Sequence, residues 1–108
     1  MKIENAKAQM RKGVLDLCIL SIIAESEVYP SDIISQLKKY DMIVVEGTLY
    51  PLLTRLKDAG LLQYSWKEST SGPPRKYFKL TESGQELLDE MIISWQEFVT
   101  SVNQIIKK

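Results

Sequence analysis

The chain has 108 residues, 44% hydrophobic and 26% charged, which suits a single globular domain. Its 14 Lys/Arg and 14 Asp/Glu cancel, so no gross charge marks it for a polyanion, and no apolar run approaches the roughly 18 residues of a membrane span. A single cysteine, Cys18, excludes a disulfide framework and points to a reducing, cytoplasmic setting, while the lack of histidine and of a glycine-rich phosphate loop argues against an enzyme, a metal site or a cofactor.

The N-terminus lacks the basic-then-apolar order of a signal peptide. The first predicted helix runs from about Asn5 to Ala24 as one piece. Its front is polar and basic (Lys7, Arg11, Lys12), and its second half, Val14 to Ile23, is apolar on nearly every side, as in a buried central helix. Asp16 interrupts that run, either as a paired residue at the helix edge or as part of a ligand pocket. Pro30-Ser31-Asp32 opens a second helix, with Ile33, Ile34 and Leu37 facing inward and Lys38-Lys39 at its end. Val44-Val45 is a short extended link. The third helix spans about Glu46 to Ala59, with Leu49, Leu52, Leu53 and Leu56 on one face and Gly60 as its stop. Pro51 lies close enough to the helix start to be accommodated.

The periodicity then changes from helical to alternating. Leu62 to Lys67 reads as a strand, Ser69 to Pro74 as a turn-rich tip, and Lys76 to Leu80 as the returning strand. Thr81 is a natural N-cap, and the chain continues as helix to Lys108. The fold class is therefore mainly α with a small β-hairpin: a winged helix-turn-helix over residues 1–80, followed by a long C-terminal helix over residues 81–108. In that arrangement the third helix reads a major groove and the hairpin is the wing.

Local charge follows the same division. Residues 1–80 hold 12 Lys/Arg against 9 Asp/Glu, a net of +3, and residues 81–108 hold 2 against 5, a net of −3. Opposite the leucines of the third helix lie Gly47, Tyr50, Pro51, Thr54 and Asp58, with Thr48, Arg55 and Lys57 at the margins. Gly47 admits a phosphate to the helix N-terminus, Thr48 and Tyr50 supply hydroxyls, and Thr54 faces outward one turn later. The same face also fits an ordinary solvated helix, and Asp58 repels DNA. The hairpin favours the DNA reading: Lys67, Arg75, Lys76 and Lys79 against Glu68 give it a net of +3 around a small-residue tip, suited to phosphates. Charged edge strands also serve to prevent aggregation.

In the last helix Leu88, Met91, Trp95, Phe98, Val102 and Ile105 form a seam at alternating three- and four-residue spacing. Ile92, Val99 and Ile106 widen it. A helix of about 39 Å is too long for a head of this size to cover, so the seam predicts a second copy about a two-fold axis and an inverted-repeat site on double-stranded DNA. Trp95 is either a large knob in that seam or one wall of an aromatic slot for a planar hydrophobic small molecule, completed by Met91 and Phe98.

The run Glu46-Gly47-Thr48-Leu49-Tyr50-Pro51-Leu52-Leu53-Thr54-Arg55-Leu56, followed by Ala59-Gly60-Leu61-Leu62, resembles the PadR family of bacterial regulators. The wing run Gly72-Pro73-Pro74-Arg75-Lys76-Tyr77-Phe78-Lys79-Leu80-Thr81-Glu82-Ser83-Gly84 resembles it too, as does Arg11 to Leu17. The match extends over nearly the whole chain and is to the short subfamily with one C-terminal helix. It implies a homodimeric repressor that touches DNA through Thr48, Tyr50, Pro51 and the wing basics near Arg75 and Lys76. It further implies a planar drug bound between paired tryptophans, with Trp95 in the matching place. The chain departs from the family pattern at Pro30, where a glycine usually follows Tyr29. A winged helix that binds only proteins is the competing function, and it would show no salt-dependent affinity for a duplex.

Overall fold

In the computed structural model, which describes residues 1–107, the order is α1 (Ile3–Lys12), α2 (Leu15–Glu25), α3 (Pro30–Lys39), α4 (Glu46–Asp58), β1 (Leu62–Ser69), β2 (Gly72–Leu80) and α5 (Glu82–Ile106). The expected winged helix-turn-helix with a long last helix is therefore present. One element differs in kind. The single helix expected from Asn5 to Ala24 is two helices, interrupted at Gly13 (φ −73°, ψ −16°) and Val14 (φ −118°, ψ 1°). Burial explains the division. No residue of α1 is buried, whereas Leu15, Ile19, Leu20 and Ile23 of α2 are, so packing directs α2 and leaves α1 to follow its own axis.

The core gathers α2, Ile33 and Leu37 of α3, and Leu49, Leu53 and Leu56 of α4, with Leu62, Phe78 and Leu88 closing it. Leu52, expected with the other leucines of α4, is only partly buried at the margin. After α3 the chain turns through Asp41 at φ 63°, and after α4 through Gly60 at φ 80°, where glycine avoids the Cβ penalty of left-handed backbone.

The hairpin is longer than its sequence pattern suggests, because β1 reaches Ser69 and β2 starts at Gly72. Pairing is regular from Leu62↔Leu80 to Lys67↔Arg75, then shifts to Ser69↔Gly72, leaving Glu68 opposite Pro73 and Pro74. Neither proline has an N–H for the ladder, so an irregularity there is the expected response. At the other edge of β2, Val28 and Phe78 exchange backbone hydrogen bonds of 3.1 and 2.9 Å. This short bridge fastens the α2–α3 connection to the wing.

Thr81 caps α5 as expected, its side chain accepting from the Gly84 amide at 3.0 Å while its hydroxyl donates to the Gly60 carbonyl at 2.6 Å. Gly84 is buried directly against the Leu61 carbonyl. These contacts seat the first turns of α5 on the body. Beyond them the helix projects, and the molecule measures 56 × 32 × 22 Å.

Candidate nucleic-acid interface

The outward side of α4 is built by its leucines. With Leu49, Leu53 and Leu56 fixed in the core, Gly47, Tyr50, Pro51 and Thr54 are all left exposed. The N-cap, Val45, offers no side-chain acceptor to the first amides of the helix. A Cβ on Gly47 would meet nothing within 4 Å, so the approach to that helix start is open. Unfilled amides at an open N-terminus suit an anion.

Tyr50 shares a cleft of about 310 Å³ with Arg75 and Lys76 of β2 and with Tyr29, Pro30 and Ser31 at the start of α3. Three sequence-predicted site residues are thus brought together. Thr48 is not among them. It lies on the other flank of α4, in a separate cavity of about 630 Å³ with Arg11, Lys12, Asp16, Leu52 and Arg55.

The wing carries less free charge than its composition implies. Lys67 forms an ion pair with Glu27 in the α2–α3 connection, and its ammonium sits 4.5 Å from the centre of the Tyr77 ring. That hydrogen bond holds the Glu27 carboxyl below the usual glutamate range. The net +3 expected for the hairpin is therefore offset by a carboxylate outside it. Arg75, Lys76 and Lys79 make no ion pair among the described residues.

Aromatic rings orient the wing cations. The Arg75 guanidinium lies 5.0 Å from the centre of the Tyr29 ring, which in turn packs on Tyr77 with centroids 3.8 Å apart. Its hydrogen-bonding interaction with Tyr29 pushes the Tyr77 pKa up to about 12, so the phenol stays neutral at any ordinary pH. The Lys76 ammonium lies 4.2 Å from the Tyr64 ring centre and 5.3 Å from that of Trp66. Sequence reasoning overlooked these rings. The alternation of Tyr64 and Trp66 showed that they share a face of β1, but Tyr29 is linked to the wing only by the fold.

A different region concerns α5. Leu88, predicted to lie in the dimer seam, is only 3% exposed, and Met91 is packed against the same core. The seam available to a partner therefore starts at Trp95 (44% exposed) and continues through Phe98 (65%), Val102 and Ile105. Trp95, Phe98, Val99 and Val102 also line an apolar groove of about 460 Å³ with Met10, Val14 and Met42. Cys18 stands outside both regions, its thiol pushed above the usual range by burial and thus poorly nucleophilic. No helix is long and apolar enough to cross a membrane, and no cluster of potential metal ligands occurs among the described residues.

Comparison with known proteins places this geometry in context. The family model of PadR-like transcriptional regulators matches residues 19–90. A PadR-like transcription factor from Bacteroides fragilis is 56% identical, with a TM-score of 0.79 over 94% of this chain and 98% of that one. The transcriptional regulator Rv3488 from Mycobacterium tuberculosis is 32% identical over 82 residues, covering 76% of each protein. Bacillus subtilis PadR, solved in complex with operator DNA, is 26% identical with a TM-score of 0.69, over 74% of this chain and 48% of that one.

Proposed function

The chain belongs to the PadR-like family of transcriptional regulators, and from that premise we propose that it is a homodimeric, sequence-specific DNA-binding repressor. The observation that carries the reading is the cleft in which Tyr50 of the reading helix meets Arg75 and Lys76 of the wing. A helix presenting polar groups beside a basic hairpin matches the division of labour in duplex recognition: base edges are read in the groove, and phosphates fix the register. The B. subtilis relative, similar over three-quarters of this chain, was solved with operator DNA, which supports a duplex as the partner.

Dimerisation is supported by the exposed stripe Trp95, Phe98, Val102 and Ile105 on a helix that outruns its own domain. A two-fold copy would bury that stripe and pair two reading heads, so the operator is an inverted repeat. The apolar groove beside Trp95 suits a planar hydrophobic effector whose binding changes the angle between the heads and releases the DNA. Such a regulator works in the cytoplasm, where its operator lies.

Selection of bound duplexes from a random pool at physiological salt tests the proposal. An inverted repeat with half-sites about one helical turn apart is the expected product. Recovery of no enriched duplex, with no salt-dependent binding, would instead favour a winged helix that binds only proteins.

A further inference from the structure

Helix α4 presents three sides beyond its buried one. Counting about 100° per residue from the buried Leu49, Tyr50 lies to one flank and Thr48 to the other, with Gly47, Pro51 and Thr54 outermost. The Tyr50 flank opens on the wing cations. The Thr48 flank opens on the cavity formed with α1, where Thr48, Leu52 and Arg55 face Arg11, Lys12 and Asp16. Within that cavity Arg55 and Asp16 neutralise each other through an ion pair of 2.8 Å. Arg11 and Lys12 make no ion pair among the described residues, so they supply its uncompensated charge.

We propose that Arg11 and Lys12 form a second phosphate-contact site, on the flank of α4 opposite the wing. The inference rests on the DNA-reading role proposed above and adds two contact residues to it. A major groove about 12 Å wide is nearly filled by a helix of about 10–12 Å with its side chains, so a reading helix meets a phosphate backbone on each flank. The wing serves one backbone. On the other flank, the exposed residues at the start of α4 are Ile43, Val45 and Thr48, which carry no charge, and the cations beside them come from the end of α1. No residue of α1 is buried, so its ten residues are not there to fill the core. The cavity therefore places two unpaired cations along the path that the second backbone follows.

Counterion release makes the inference measurable. Each phosphate contact adds about 0.9 to the steepness of log K against log salt. Using a duplex recovered by selection, Arg11→Gln and Lys12→Gln, each present in both protomers of the dimer, should each lower that slope by about 1.8 between roughly 50 and 200 mM salt, without changing base preference. Arg11→Lys keeps the charge and should keep the slope. Lys7→Gln removes the same charge from α1 outside the cavity and should leave the slope unchanged. Circular dichroism and light scattering confirm that each variant retains fold and mass. If Arg11→Gln and Lys12→Gln behave like Lys7→Gln while Arg75→Gln lowers the slope, the second site is wrong and the reading helix stands. If Arg75→Gln also leaves the slope unchanged, the DNA-reading surface itself is wrong and the second site falls with it.

Discussion

One guanidinium nitrogen of Arg55 donates to both carboxylate oxygens of Asp16, at 2.8 and 2.9 Å, and so ties α4 to α2, 39 positions earlier in the chain. The pair is partly open to solvent, with the Arg55 side chain 60% and that of Asp16 32% exposed, so its contribution to stability is modest. In a double-mutant cycle with Asp16→Asn and Arg55→Gln, the coupling energy from urea unfolding should be about 0.5 kcal/mol. A coupling of zero would show that the pair does not hold α4 to α2.

The cleft between α4 and the wing makes a direct prediction. Tyr50→Ala and Arg75→Ala should each weaken operator binding about tenfold in a fluorescence anisotropy titration and leave the protein dimeric. Normal binding by both variants would mean that the reading surface lies elsewhere.

Charge placed in the α5 seam should prevent association. Phe98→Glu puts a carboxylate on the apolar stripe at a position already 65% exposed in the single chain, so folding of the protomer is preserved while burial against a partner becomes costly. Light scattering should then report the mass of one chain. Trp95→Glu should do the same, and an unchanged mass in both would remove the seam as the dimer contact.

Gly84 tests the seating of α5. A Cβ built there would overlap the Leu61 carbonyl oxygen, which is backbone and cannot swing away. Gly84→Ala should therefore cost about 1–3 kcal/mol and lower the urea midpoint, although alanine is the better helix former. A midpoint equal to that of the parent would show that the Gly60–Leu61 turn yields readily.

The wing anchor predicts a pH dependence. Lys67 holds the Glu27 carboxyl below its usual pKa in the folded protein, so the ion pair contributes fully above the unfolded value and is lost as pH falls through the lowered one. At neutral pH the parent should therefore melt above Glu27→Gln. The gap between their Tm values should close in acid, below the ordinary glutamate range. A gap independent of pH would point to packing rather than charge.

Much of this architecture is legible in sequence because its causes are local. The leucine spacing in α4 and the Thr81 cap are properties of neighbouring residues, and both appear in the structure. The break at Gly13 and Val14 is harder to read, since the apolar pattern runs up to it and only the burial of α2 against distant elements separates the two helices. The Ser69–Pro74 tip misleads differently: Pro73 and Pro74 mark a turn in most contexts, yet here they sit in a strand whose partner absorbs the irregularity. At the candidate site, residue types pick out Tyr50 and Arg75. The partners of Asp16 and Lys67, and the ring beneath Arg75, depend on separations of tens of residues that no local pattern encodes.

The joint between α1 and α2 carries few local restraints. Gly13 keeps an ordinary right-handed φ, and a Cβ there would meet only the Met10 carbonyl at 3.8 Å, so neither strain nor crowding locks the angle. With no buried residue to hold it, α1 should have amides that exchange with solvent before those of the core helices α2, α3 and α4. Arg11 and Lys12 stand directly beside that joint, so where their charges lie follows from the angle at which α1 leaves α2.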